Sequence, residues 1–592
     1  MKAQRLVALV LAVFMLLAFL TSCGETGGGG GGSDGDADGS NTQAGGSDDS
    51  TGAHHQRSTV DLVIFSQLAN FSGEMRGWGA EVLREKFNVN VTIISDVSGT
   101  FQTRMESGFL GDIILFGNDG DDYKDAAEAG LLFDWMEDNL LADFGYYIYT
   151  YFPYALGKNQ AITGTLHGFG HNVAASATDH AAYYYYPHIR WDLYTQLGRP
   201  VINTLEDFIP VLEQMVALEP TTSLGTRTYG VSSFPDWDGD MVMMVKSTAA
   251  LYGWEEFHMG LYDVNTQQWQ SALHPLEDGG WYLRCLRFYN QLFQRGLFDP
   301  DSMTQTWDDV SGKYLSGAAM FNIFKWIADT FNTDAHKEAG KIMMPVVAQD
   351  QKNLADGLGV YGGNRVWAIG ANSNYPELAM EIINWFASPE GVLTYNYGPK
   401  GVTWDYDEDG EPFMTQLGIQ AQLDGENTVI EYGSWSGAYE SGTFEHNNTT
   451  WALDAVNPYS PGGNNFNWEF WDSTLLTRVV TPVEQSWRDW SGFIQPDDWF
   501  ISEGRQSIAI ASTYSPSRRS PELQVVWSRL QSTIKDGSWR AIYAGSDAEF
   551  DAIVAQMVSD AYQFGFAEAV EWMEGEVELR RAAENAVMGA LG

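Results

Sequence analysis

The chain has 592 residues, with 78 Asp and Glu against 33 Lys and Arg, a formal charge of −45. Nucleic-acid backbones and anionic membrane surfaces are held by clustered Lys and Arg, so this balance argues against both as partners. The acidity is spread along the chain and reads as a solvated surface, while 22 Trp and 28 Tyr give an aromatic content high for a soluble protein.

Lys2 and Arg5 open the chain, Leu6 to Leu20 is almost continuously apolar, and Leu20-Thr21-Ser22-Cys23 follows. A positive start, a short apolar run and small residues form a secretory signal, and the run is shorter than the ~20 residues that span a bilayer comfortably. The four residues resemble the bacterial lipobox. That resemblance implies that 1–22 is a signal peptide and that Cys23 is acylated, anchoring the chain on the extracellular face of the cell membrane by lipid alone. With Cys23 so used, Cys285 is left without a disulfide partner. The rest of 23–58 is Gly, Ser, Asp and Thr, which cannot bury a core and reads as a disordered linker. Gly31-Gly32-Ser33-Asp34-Gly35 fits the G-x-S-x-G pattern of serine hydrolases, but that chemistry needs a strand-to-helix turn and not a glycine-rich tether.

The remaining residues exceed one ordinary domain, so two or more lobes are expected. Thr59 to Ser66 reads as a buried strand, Glu74 to Phe87 as a helix, Asn90 to Ser95 as a second strand and Gly111 to Phe116 as a third. Tyr123 to Ala129 has helical spacing and meets Gly130, a natural C-terminal stop. Strand and helix in alternation predict an α/β fold with a parallel sheet covered on both faces. Ligands bind beyond the carboxyl ends of such strands, which draws attention to 67–71 and 117–119.

Residues 111–135, 187–208 (PHIRWDLYTQLGRPVINTLEDF), 314–329 (YLSGAAMFNIFKWIAD), 377–413 and 550–574 resemble, in order and spacing, segments of the family 1 extracellular solute-binding proteins, the maltose-binding-like subunits of ABC importers. Residues 416–520 match poorly. The resemblance implies a two-lobed periplasmic-binding-protein-like α/β fold with a hinge and an inter-lobe cleft. It implies an N-terminal lobe of 59–168 plus about 350–400, and a C-terminal lobe of about 169–349 plus 401–592. Crossings are expected at 166–172, 344–363 and 399–404. A monomer is implied that captures a carbohydrate, hands it to a membrane permease and catalyses no reaction. A surface-tethered glycan hydrolase and a ligand sensor without a permease are the alternatives.

By matching position, the ligand-binding candidates are Asn70, Phe71, Asn118, Asp119, His167, Asn172, Asp236, Trp237, Asp238, Trp326, Asn364, Arg365 and Trp367. Tryptophan faces pack on the C–H faces of sugars, and fixed polar groups answer the hydroxyls. His167 and His171 have the spacing of a helical zinc pair, but Gly168 and Gly170 disfavour the helix. Gly357 to Gly362 fits G-x-G-x-x-G, yet a strand follows where a nucleotide fold needs a helix. Asp405, Asp407, Asp409 and Gly410 begin a calcium-loop pattern whose twelfth position is Gln416 and not Glu, so a hairpin turn is the simpler expectation. No other cofactor or metal is expected.

Overall fold

The structure is a computed structural model and describes residues 58–591, except 98, 178, 182–184, 448–451, 478 and 479. Cys23 and the expected signal and most of the linker lie outside the described residues.

The first sheet forms as its sequence pattern requires. Strands β1 (Val60–Ser66), β3 (Val89–Ser95) and β4 (Ile113–Asn118) are parallel, with Ile64 facing Ile93 on one side and Ile113 on the other. The short β2 (Gly73–Glu74) adds to β3 at one edge. At the other edge the late strand β10 (Asn364–Ile369) lies antiparallel to β4, and β5 (Gly168–Gly170) closes the sheet. Alternate residues point to opposite faces. Ile64, Ile113, Leu115 and Trp367 enter the large first core, and Phe65, Ile114, Phe116, Val366 and Ala368 enter a smaller cluster on the reverse face.

A second, separate core is built on the three-stranded antiparallel sheet of β6 (Tyr185–Arg190), β7 (Phe321–Phe324) and β8 (Met343–Pro345), with β6 in the middle. Helices Phe208–Leu218, Trp281–Gln294 and Pro521–Ile542 bury their apolar faces against it. The molecule is thus an α/β fold of two lobes, each with its own core.

The chain crosses between the cores three times: between Ala174 and Tyr186, between Ala355 and Trp367, and between Trp471 and Trp487. Two of these differ from expectation. Residues 166–170 remain in the first lobe, because β5 pairs with β10, and the crossing follows them. Residues 399–404 do not cross at all. Trp404 is fully buried in the first core, as are Met414, Ile430, Tyr439, Phe444 and Trp471. The stretch from 401 to 471, expected in the C-terminal lobe, therefore packs on the N-terminal one. The second crossing carries the glycine-rich segment. β9 (Asn353–Asp356) pairs in parallel with β11 (Gln506–Ala509), and Gly357 then bridges to His180. Gly362 holds φ +45°, and a Cβ there would stand 2.4 Å from the Gly170 carbonyl oxygen. Gly357 and Gly362 serve close backbone approach, and Gly357 leads into a chain bridge and not into a helix.

The first core also holds His171, stacked at 4.7 Å and 7° on Trp367, with His446 against the edge of the same indole. Burial drives His171 well below its ordinary pKa and His446 down to about 3; His188, in the second lobe, is likewise pushed down to about 3, with Lys325 adding to burial. Below pH 6.5 the unfolded chain takes up protons at these imidazoles and the folded chain does not. Their contribution is full above pH 6.5 and is lost as pH falls toward 3, by up to about 1.4 kcal/mol per unit for each. Urea unfolding from pH 7.5 to 5 should show falling stability, with a flatter profile in His446→Leu; identical profiles would contradict the assignment. Trp404→Ala should lower the unfolding free energy by about 3–5 kcal/mol.

Candidate ligand-binding cleft

Between the two cores lies a cavity of about 270 Å3. The first crossing supplies Asp179 and His180, the first lobe Asp454, Asn464, Asn465 and Phe470, and the second lobe Gln495, Asp497 and Asp498. Each wall is fixed by its own core. Ala455 and Phe466 are buried in the first core and bracket a loop closed by the Val456–Asn465 bridge. The Glu411 carboxylate accepts from Ser460, the Gly462 amide and Asn464, tying that loop to the hairpin before it. Helix Pro496–Ser502 starts on a proline and carries Asp497 and Asp498 in its first turn, where the helix dipole favours acid. Its Trp499 and Phe500 are sunk in the second core.

Among the described residues, no lysine or arginine lines this cavity. Burial raises the Asp179 carboxyl, which accepts the Val456 amide at 3.1 Å and so also joins the crossing to the first-lobe wall. Burial, with the like charge of Asp472, raises Asp498. The Tyr186 hydroxyl donates to Asp497. A cation reaches across: Lys325 of the second lobe places its Nζ 5.7 Å from the ring centre of Phe470 of the first.

Lys325 is followed by Trp326, and there the second lobe presents an aromatic patch. Trp326 lies 5.3 Å from Trp237 and 4.8 Å from Trp307, and Trp237 stacks on Trp307 at 5.7 Å. Phe234 and Phe324 back them. Trp237 is 49% exposed, and Trp307 and Trp326 are half-buried. Asp236 belongs to this patch by accepting the Trp307 backbone N–H.

The other expected residues divide into groups. Asn118, Asp119 and Asn364 meet at one end of β4 and β10: Asn118 faces Asn364 in register, its side chain accepts the Gly120 amide, and Asp119 pairs with Lys158 at 2.6 Å. Asn70 is exposed and Phe71 leans on the first core. His167 Nδ1 lies 3.0 Å from the Phe133 carbonyl, and Asn172 is half-buried beyond β5. Arg365 takes a left-handed φ of 56°. Two expectations are corrected. Trp367 is completely buried and offers no face to a ligand. Asp238 is a fold residue, accepting the Met243 amide at the start of helix Met243–Ala249 and the Trp539 indole N–H, each at 2.8 Å.

None of the thirteen lines the 270 Å3 cavity. Its walls come largely from 454–501, a stretch whose many Asn, Asp and Gly residues read as loop. Trp307, the first residue of a helix whose capping box is Thr306 and Asp309, was not among the expected site residues. Asp405 lies in a strand paired with Phe413, and Asp407 and Asp409 form the hairpin turn, where Asp407 accepts the amides of Asp409 and Glu411. Among the described residues no group of three or more His, Cys, Asp or Glu side chains is placed to hold a metal ion. No described helix is long and apolar enough to cross a membrane.

No protein-family model matches the chain, and no curated protein matches it in sequence. Among solved structures it is similar to an extracellular solute-binding protein from Bifidobacterium longum subsp. infantis, at 15% identity and a TM-score of 0.46 over 88% of this chain and 98% of that one. It is similar to the N-glycan transport solute binding protein NgtS from Streptococcus pneumoniae, at 13% and 0.43 over 88% and 99%. It is also similar to the alginate-binding protein AlgQ2 solved without calcium ion, at 14% and 0.43 over 88% and 98%.

Asp238→Ala should lower the unfolding free energy by about 1–3 kcal/mol, since it leaves the Trp539 indole N–H and a helix amide without their acceptor. Trp237→Ala, from an exposed position, should change stability far less, and chemical denaturation of the two variants side by side checks the contrast.

Proposed function

We propose that the chain is the solute-binding lipoprotein of an ABC importer, a member of the family 1 extracellular solute-binding proteins. In this reading it is held at the extracellular face of the cell membrane through Cys23, captures an oligosaccharide by closure of its two lobes, and catalyses no reaction. The observation that carries the reading is the pairing of a half-exposed Trp237–Trp307–Trp326 patch with a polar cavity walled by both lobes. Aromatic faces take the C–H faces of sugar rings. Asn464, Asn465, Gln495 and the carboxylates take hydroxyls, and hydrogen bonds to charged groups contribute about 1.5–3 kcal/mol each.

The acidic lining disfavours a polyanionic sugar and suits a neutral one, whose hydroxyls donate to Asp179, Asp454, Asp497 and Asp498 without bringing like charge. A ligand touching both walls binds the closed form better than the open one, and its differential affinity sets the population shift. Release to a permease then requires the lobes to part about the three crossings.

The test is a thermal-shift and calorimetric screen of the purified chain against neutral and acidic oligosaccharides. A neutral member should raise the melting temperature, with linkage of about 2.7 kcal/mol at a hundredfold excess over Kd, and should contract the solution scattering profile. Trp326→Ala should weaken that ligand about tenfold, roughly 1.4 kcal/mol. Accumulation of a cleaved product would favour the hydrolase, and binding with no change in compactness would remove lobe closure.

A further inference from the structure

A second polar cavity, of about 220 Å3, opens in the second lobe among Tyr185, Lys246, Ser247, Trp254, Glu256 and Asp356, and shares no lining residue with the cleft. It is far larger than the ~10–15 Å3 that admits one water and smaller than the ~300 Å3 at which drug-sized pockets begin. That is room for one small ring.

Its chemistry is mixed in a particular way. Lys246 is more than nine-tenths buried and pairs with Glu256 at 2.7 Å. An ammonium carries three donors and a carboxylate several acceptor sites, so this pair leaves both kinds available. Ser247 adds a hydroxyl. Asp356, an exposed residue, supplies a carboxylate that takes no hydrogen bond or ion pair among the described residues. Glu255, also on the lining, is engaged by Arg580 of the last helix, Phe566–Leu591, which makes that wall rigid. A ligand amine would meet Lys246 as a like charge, and a ligand carboxylate would meet Asp356 and Glu256. A hydroxyl both donates and accepts and is opposed by neither. Half-buried Tyr185 adds an aromatic edge for C–H groups, while Trp254, 7% exposed, belongs to the core behind it.

The cavity also abuts the hinge. Asp356 is the last residue of β9; its carbonyl accepts the Ala181 amide, and the next residue, Gly357, bridges to His180. We infer that this cavity is a second small-molecule site, for a neutral polyol the size of a single sugar ring, whose occupancy holds the first and second crossings together and so couples to closure of the cleft. The site does not rest on the cleft being a sugar site; only the coupling does.

The experiment is calorimetric titration of the full chain with glucose, galactose, mannose and myo-inositol, each at up to tens of millimolar. One of them should bind at one per chain. Asp356→Asn, which keeps the side-chain shape, should weaken it at least tenfold, Ser247→Ala should weaken it in the same direction, and Trp326→Ala should leave it unchanged. Binding that survives both Asp356→Asn and Ser247→Ala, or that disappears with Trp326→Ala, would overturn the assignment, as would no binding by any of the four. Where a cleft oligosaccharide is in hand, the small polyol should change its Kd, and the oligosaccharide should change the polyol Kd by the same factor. A one-to-one polyol site with no such reciprocity would remove the coupling and keep the site.

Discussion

Two hydrophobic cores with no residue in common, joined by three passages of the backbone, set what the rest of this molecule can do. Burial of apolar surface is proportional to area and has no direction, so each core is stable by its own packing. Between them the apolar packing thins to a small cluster of Ala177, Val360 and Val587. Polar groups can survive there because neither core needs to absorb them. The acidic cavity lies in that seam, with one wall nailed to each core through Phe466 and through Trp499 and Phe500. A relative movement of the lobes changes the distance between the walls without disturbing either core.

How much of this was legible depended on whether one residue's local pattern had one physical outcome. Val60 to Ser66 has no reading but a buried strand, and the strands near 89 and 113 share that property; they were found to within two residues. Their alternation even foretells two covered faces, realised by Ile64 and Phe65. Trp367 stands in the same kind of strand. Whether its indole meets a ligand or the core is decided by which face the register gives it, and the register gives it the core. The stretch 401–471 failed for another reason. Its hairpins and short turns carry scattered aromatics, Trp404, Tyr439, Phe444 and Trp471, with no period to reveal that all point into one core. Its lobe is set by contacts across hundreds of residues, such as the Trp78 indole donating to the Tyr439 carbonyl.

The expected site residues show the same limit. Asp and Asn side chains satisfy nearby amides as readily as ligands. Asn118 and Asp407 do so within their own turns, and Asp238 does so at a helix start. The carboxylates that do line the cleft, Asp454, Asp497 and Asp498, carry no better local signature; what distinguishes them is that a buried neighbour on the same element turns them outward.

The electrostatics of the seam then bear on how the lobes can close. Asp179 and Asp454 stand on one side and Asp497 and Asp498 on the other, and a low-dielectric gap strengthens their mutual repulsion as water leaves. Burial alone raises Asp179, and burial with the nearby charge of Asp472 raises Asp498. Lys325 reaches from the second lobe toward Phe470 of the first. In the proposed reading, closure on an empty cavity would bring the carboxylates of the two walls closer, whereas hydroxyl donors between them would satisfy both walls at once. In that reading, the residues that would bind a ligand also oppose closure without it, so the closed form would be conditional on an occupant.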